Sequence, residues 1–172
     1  NRCRRQRQMC IRDSLNGNHK PLFDSKVIIQ YLDHYKPQPL LYPKNPKDNI
    51  SARLVETVAD GVCDAIVLIF LENSRKETLK SKDWIKRQEK KIFEGVKYLS
   101  NYLEGENYFV GNHFNIADIC GLSCLEYMDL RFSKFKWRNE YQNLEKYWIF
   151  HRDRQSFQET KPIAQIIQPL DD

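Results

Sequence analysis

The sequence predicts a short α+β segment followed, past a proline-rich linker, by an all-α bundle of at least four helices. Three observations carry this. Four prolines (Pro37, Pro39, Pro43 and Pro46) crowd a stretch with no apolar periodicity, which marks a linker. Beyond it, apolar residues recur at three- and four-residue spacing in successive runs, the signature of helices that bury one face. Finally, Asn115 before Ile116-Ala117-Asp118 spells a helix start in which two orphan N–H groups are capped reciprocally.

The elements follow in order. Residues 1–14 hold five arginines and one aspartate, a net of +4 out of the chain's +5. They read as an extraneous or disordered tail, and the string from Arg2 to Ser14 looks like translated sequencing-adaptor read-through rather than evolved protein. No small-residue cleavage site follows an apolar stretch there, so the tail is not a signal peptide. Residues 15–36 form the α+β piece. Asn16-Gly17-Asn18 is a hairpin-turn signal, Pro21-Leu22-Phe23 reads as a short strand, and Asp24-Ser25 before Val27-Ile28-Ile29 reads as a helix N-terminus. Residues 37–48 are the linker, and 49–172 the helical domain. Its first helix carries Ile50, Leu54, Val58, Val62, Ala65 and Ile69, and its second Ile85, Ile92, Val96, Leu99 and Leu103. Ile116 to Leu130 is apolar on most sides and is expected at the centre. A fourth helix, 139–151, turns Tyr141, Leu144, Tyr147 and Trp148 inward, and a short one lies near Ser156.

Composition excludes several functions. Outside the tail, 23 basic residues face 22 acidic ones, so no sustained basic surface for nucleic acid exists. The longest apolar run, Ala65 to Leu71, ends at Glu72 and is too short to span a bilayer. Cys63, Cys120 and Cys124 fall in apolar helical patterns. Cys120 and Cys124 lie four apart on one helix face, but no His or second Cys pair stands at zinc spacing, so small buried hydrophobes is the better reading and no metal is expected. His19, His34, His113 and His151 form no constellation.

Several residues invite a functional reading beside a structural one. Asp118 is explained by the cap, with Phe114 packing on Ile119 as a hydrophobic staple. Gly61, inside a helix, is expected to permit close approach of a helix or subunit. Arg131 is expected to pair with Asp129 or a neighbouring carboxylate. Tyr127, Phe132 and Trp137 are either core or the lining of an apolar pocket. Asp60 and Asp64, four apart, either are solvated or shape a cleft. At Asp24-Ser25, a hydroxyl and backbone N–H groups at a helix start form a natural carboxylate site, and an acid beside it suits an ammonium. An ordinary N-cap fits the same residues.

A strand leading into Phe23-Asp24-Ser25, a short helix, a Pro-rich linker and an all-helical domain together resemble a cytosolic glutathione S-transferase. Asp24-Ser25 is similar to that family's acidic-Ser glutathione motif, and Phe114-Asn115-Ile116-Ala117-Asp118 to its helix-capping motif. Ala59-Asp60-Gly61-Val62-Cys63-Asp64-Ala65 and Tyr127-Met128-Asp129-Leu130-Arg131, with Trp137-Arg138 after them, resemble a bacterial subgroup. The resemblance covers residues 15–172 and is densest from 21 to 160. It implies the last hairpin and helix of a thioredoxin-like domain, followed by the family's C-terminal bundle. It implies conjugation of glutathione, as co-substrate, to a small hydrophobic electrophile, with Ser25 taking the γ-glutamyl carboxylate and Asp24 its ammonium. Asp60 and Asp64 are lesser candidates. A homodimeric, cytoplasmic full-length protein is implied, without nucleic-acid or membrane partners. No residue here matches the family's sulfur-activating Ser, Tyr or Cys, because Leu15 enters the pattern after that point. The catalytic residue is therefore unknown, and the chain is expected to be an inactive N-terminally truncated piece. The alternative reading is a non-catalytic binding or assembly domain of the same fold.

Overall fold

The computed structural model describes residues 22, 24–36, 38–103 and 106–164. The chain divides into two compact units, Asn1–Lys44 and Asn45–Asp172. In the first, Leu22 makes an isolated β-bridge and helix α1 spans Ser25–Tyr35. The Asp33 carboxylate accepts the Leu41 N–H at 2.8 Å and the Tyr42 N–H at 2.7 Å, which fastens the chain leaving the helix. The turn expected at 16–18, and Pro21 and Phe23 of the expected strand, lie outside the described residues.

In the second unit the regular elements among the described residues are helices: α2 (Pro46–Asn73), a 3-10 turn (Glu77–Leu79), α3 (Lys82–Leu103), α4 (Ile116–Arg131), α5 (Trp137–Glu140), α6 (Gln142–His151) and α7 (Gln155–Glu159). Helix α2 starts cleanly because Asn45 accepts the Lys47 N–H, Pro46 stands in the first turn, where no intrahelical N–H bond is lost, and Asp48 complements the helix dipole. At its far end Glu72 accepts the Ser81 N–H at 2.7 Å and pairs with Arg75 at 3.1 Å, bridging the turn to α3. The Ser81 N–H, followed by Arg75, holds the Glu72 carboxyl below its ordinary value. Helix α4 is the core element, with Ile116, Ala117, Gly121, Leu122, Cys124, Leu125 and Met128 all buried. Helix α2 packs against both α3 and α4.

Three expectations are corrected here. The buried row of α2 begins with Ala52, Val55 and Ala59, whereas Ile50 and Leu54 are 62% and 47% exposed. The physical reason is drift. Successive i+4 steps overshoot a 3.6-residue turn by about 40° each, so a row of three such steps from Ile50 to Val62 swings far around the helix. Secondly, Gly61 does not serve a close helix approach within the chain: a Cβ there meets Lys91 Cε at an ordinary 3.6 Å. Gly95 has that role, since a Cβ on it would sit 2.3 Å from Val62 Cγ2. Thirdly, the fourth helix is broken at Tyr141 into α5 and α6. Leu144 and Tyr147 are buried, while Tyr141 and Trp148 are only half-buried.

Candidate functional site

Helix α1 opens at Asp24, whose backbone lies at φ 76°, ψ 124°. Positive φ is costly for a residue with a Cβ and recurs where function over-determines the backbone. The Asp24 carboxylate accepts the Lys26 N–H at 3.0 Å, and the Asp24 carbonyl accepts the Ile28 N–H at 3.1 Å. Asp24 and Ser25 are both exposed. A half-used carboxylate, a hydroxyl and first-turn N–H groups therefore face outward together, the donor and acceptor set that an amino-acid zwitterion needs.

The α4 start uses similar residues in the interior. Asn115 accepts the Ala117 N–H at 3.0 Å and donates its amide to the Val110 carbonyl at 2.7 Å and the His113 carbonyl at 3.0 Å. Asp118 accepts the Phe109 N–H at 2.9 Å, the Asn115 N–H at 3.0 Å and the Tyr147 hydroxyl at 3.0 Å. Both residues are fully enclosed. Burial pushes the Asp118 carboxyl up against the pull of those donors. Burial and the neighbouring carboxylate push the Tyr147 phenol far up, so it stays a donor. His151 stacks edge-on with Tyr147 at 4.8 Å and hydrogen-bonds the Asn107 carbonyl through Nε2 at 2.7 Å. Burial lowers its pKa and keeps the ring neutral. Phe109 closes the network against Tyr147 at 4.9 Å, and Gly121 leaves its ring room: a Cβ there would lie 2.3 Å from Phe109 Cε2. Phe114 meets His151 at 5.4 Å and carries the Arg154 guanidinium 3.9 Å above its ring.

A cavity of about 340 Å³ opens between α2, α4 and the α7 region. Cys63, Asp64 and Val67 form one wall, Ser123, Glu126 and Tyr127 another, and Phe157, Thr160 and Pro162 the third. Glu126 is held by the Trp148 indole N–H at 2.7 Å. Burial raises the Tyr127 phenol, opposed by Arg131, so Tyr127 presents a neutral hydroxyl. Such a cavity accepts the apolar body of a small molecule and offers it a few polar anchors.

The structure separates the other singled-out residues. Asp64 lines the cavity, but Asp60 lies exposed one turn earlier and does not. Arg131 lies over the Phe70 ring at 4.3 Å and hydrogen-bonds Tyr127. Asp129 takes Arg138 through both oxygens, at 2.7 and 2.6 Å, together with the Trp137 indole N–H at 2.9 Å. The planar guanidinium suits that fork, and it also packs on the Trp137 and Trp148 rings at 4.2 and 4.6 Å. Trp137 and Phe132 are buried in the core and line no part of this cavity. Among the described residues, no group of three or more His, Cys, Asp or Glu side chains is placed to hold a metal ion. Sequence spacing also missed one contact. Cys124 meets Cys63 of α2, and its hydrogen bond to Cys63, then burial, raise the Cys124 thiol far above its ordinary range.

Comparison with known proteins agrees with this geometry. Residues 82–147 match the family model of the glutathione S-transferase C-terminal domain. The structure of a glutathione S-transferase from Methylobacterium radiotolerans, in complex with glutathione sulfonate, is 33% identical. It superposes with a TM-score of 0.86 over 90% of this chain and 73% of that one. The chain belongs to the glutathione S-transferase family. An uncharacterized GST-like protein of Escherichia coli, YibF, is 28% identical over 140 residues, which are 81% of this chain and 69% of that protein. A probable glutathione S-transferase of Nicotiana tabacum is 29% identical over 73% of this chain and 59% of its own length. No described helix is long and apolar enough to cross a membrane.

Proposed function

We propose that this chain supplies two parts of a glutathione transferase: the helix start that holds the γ-glutamyl end of glutathione, and an apolar cavity for the electrophile. The observation that carries this reading is the likeness, at 33% identity, to a transferase solved with glutathione sulfonate. Ser25, with the first-turn N–H groups of α1, takes the γ-glutamyl carboxylate, and Asp24 takes the ammonium. The cavity walls of Val67, Phe157 and Pro162 receive the apolar part of the electrophile, with the Tyr127 hydroxyl as donor. Asp64 sets the polar rim, and Asp60 plays at most a remote electrostatic part. No residue from Leu15 onward matches the family's thiol-activating group, so the chain's share of the work is orientation, which can supply several kcal/mol of a barrier.

The same reading makes the protein a cytoplasmic homodimer, and two features support it. The described cysteines are free thiols, and Ile50 and Leu54 leave an apolar patch on α2. A conjugation assay with a generic aromatic electrophile tests the proposal. The 172-residue chain should run no faster than glutathione in buffer, while titration calorimetry should detect glutathione at about millimolar affinity. Robust turnover would show that an activating group lies within these residues.

A further inference from the structure

Helices α2 and α3 leave an open groove of about 640 Å³. Leu68 of α2 forms one wall, and Trp84, Arg87, Gln88, Lys90 and Lys91 of α3 the other. Positions 84, 87, 88 and 91 recur at three- and four-residue spacing, so they share one helix face. Trp84 is 40% exposed, which leaves much of its indole open to a flat partner. Gln88 stands in the buried row of α3 ahead of Ile92, Val96 and Leu99 and is only 5% exposed. Its side-chain amide makes no hydrogen bond to any described residue. Yet no fully enclosed side-chain N or O among the described residues lacks a partner, so the Gln88 amide opens into the groove that the residue lines. A donor and an acceptor, held by the core and both unspent, thus face the groove. Cations flank them. Among the described residues, none makes a hydrogen bond or ion pair with the Arg87, Lys90 or Lys91 side chain. Lys91 reaches across to α2, its Nζ 3.7 Å from the place a Gly61 Cβ would take. Glu94 is the one carboxylate among the described lining residues.

We propose that this groove binds a nucleoside diphosphate, with the base stacked on Trp84 and read by the Gln88 amide, and the phosphates held by Arg87, Lys90 and Lys91. Each part has a chemical reason. An indole face stacks on any base. A carboxamide matches the paired donor and acceptor on the edge of adenine. Guanidinium and ammonium groups pair with phosphate oxygens. Trp84 and Lys91 lie seven residues apart, about 10 Å along the helix axis, a span that a nucleotide bridges from its base to its second phosphate. Three cations against one carboxylate favour a ligand with several negative charges over a singly charged aromatic acid. A nucleic-acid strand needs a longer basic track, and outside residues 1–14 the 23 basic residues are balanced by 22 acidic ones. The groove uses α2 and α3 rather than the start of α1, so this inference is independent of glutathione recognition and stands or falls without it.

Isothermal titration calorimetry of the full 172-residue chain with ADP tests this, with adenosine, inorganic pyrophosphate and a naphthalene monosulfonate as comparison ligands. ADP should bind with a dissociation constant of about 0.1 mM, weakening as salt is added. Each comparison ligand carries only part of the recognised chemistry and should bind at least about tenfold more weakly. Arg87→Gln and Lys91→Gln alter exposed side chains, and each should weaken ADP by about threefold to tenfold. Trp84→Ala should weaken ADP by about tenfold through lost stacking. Gln88→Met removes the amide at similar volume and should weaken ADP by about tenfold while leaving pyrophosphate unchanged. In amide chemical-shift spectra, ADP should move residues 84–91 and leave Ser25–Val27 still. An absence of heat and shifts with ADP would overturn the proposal. So would pyrophosphate or the monosulfonate binding as tightly as ADP, or ADP affinity unchanged when Arg87→Gln and Lys91→Gln are combined.

Discussion

Asp24 and Asp118 each stand at a helix start and each accepts a backbone N–H, but their surroundings are opposite. Asp118 is enclosed and takes three donors, from Phe109, Asn115 and Tyr147. Asp24 is exposed, sits at positive φ, and takes one backbone donor, from Lys26. In the first case every hydrogen bond is internal, and water cannot replace any of them. In the second, much of the carboxylate remains open to solvent and to a ligand. An acid at a helix start is therefore closed to a ligand or open to one according to what surrounds it, although the local sequence looks alike.

The largest expected effect follows from removing the buried member. Asp118→Ala leaves the Phe109 and Asn115 N–H groups unsatisfied in the core and the Tyr147 hydroxyl with only its longer bond to the Asp118 carbonyl, at 3.4 Å. Each orphan costs about 1–3 kcal/mol, so a loss of roughly 2 kcal/mol or more is expected in urea denaturation. Asp24→Ala removes an exposed cap and should cost about 1 kcal/mol or less. Equal losses at the two sites would break the comparison.

Crowding the buried site is the next largest. Gly121→Ala forces the Phe109 ring, and with it the N–H that Asp118 holds, to shift; a destabilisation of about 1–3 kcal/mol is expected by thermal melting. Gly61→Ala, in contrast, meets only the Lys91 side chain and should be neutral or stabilising by up to about 1 kcal/mol.

Acid titration sharpens the contrast further. Burial lowers the His151 pKa, so the unfolded chain binds its proton first, and stability falls as pH drops below about 6.5. Asp118 acts in the opposite sense. Its folded pKa is raised, so its contribution is complete below the ordinary carboxylate range and is lost as pH rises through the raised value. His151→Gln keeps a donor for the Asn107 carbonyl and removes the imidazole titration. Its Tm should fall less than that of the unmodified chain between pH 7 and 5. An unchanged slope would place the acid sensitivity elsewhere.

Much of the fold was legible because it rests on local chemistry. The Asn115–Asp118 box and the apolar character of α4 are short-range patterns; the linker expected over 37–48 is shorter, because Pro46 opens α2 rather than interrupting it. Where sequence reasoning failed, the cause was helical drift in one case and a distant contact in the others. The α2 row was misplaced because fixed four-residue steps ignore helical drift. Asp129 was offered as one carboxylate for Arg131, but its fork is filled by Arg138 from the next helix, a partner that local spacing does not show. Gly61 and Gly95 are indistinguishable until α2 and α3 are packed. Cys120 and Cys124, read as small buried hydrophobes, are half-buried and buried free thiols, but the neighbouring Cys63 thiol comes from another helix and was not visible. The Asp24–Ser25 motif was visible in sequence, but the positive φ that presents it was not.

The central claim is that the exposed helix start recognises glutathione while the buried one only builds the fold. An amide chemical-shift titration of the isotopically labelled chain with glutathione tests it most directly. Shifts are expected at Ser25, Lys26 and Val27, saturating at about millimolar ligand and lost in Ser25→Ala, with Ala117, Asp118 and Ile119 silent. Shifts that persist in Ser25→Ala, or that appear at Ala117–Ile119 while Ser25–Val27 stay still, would contradict it.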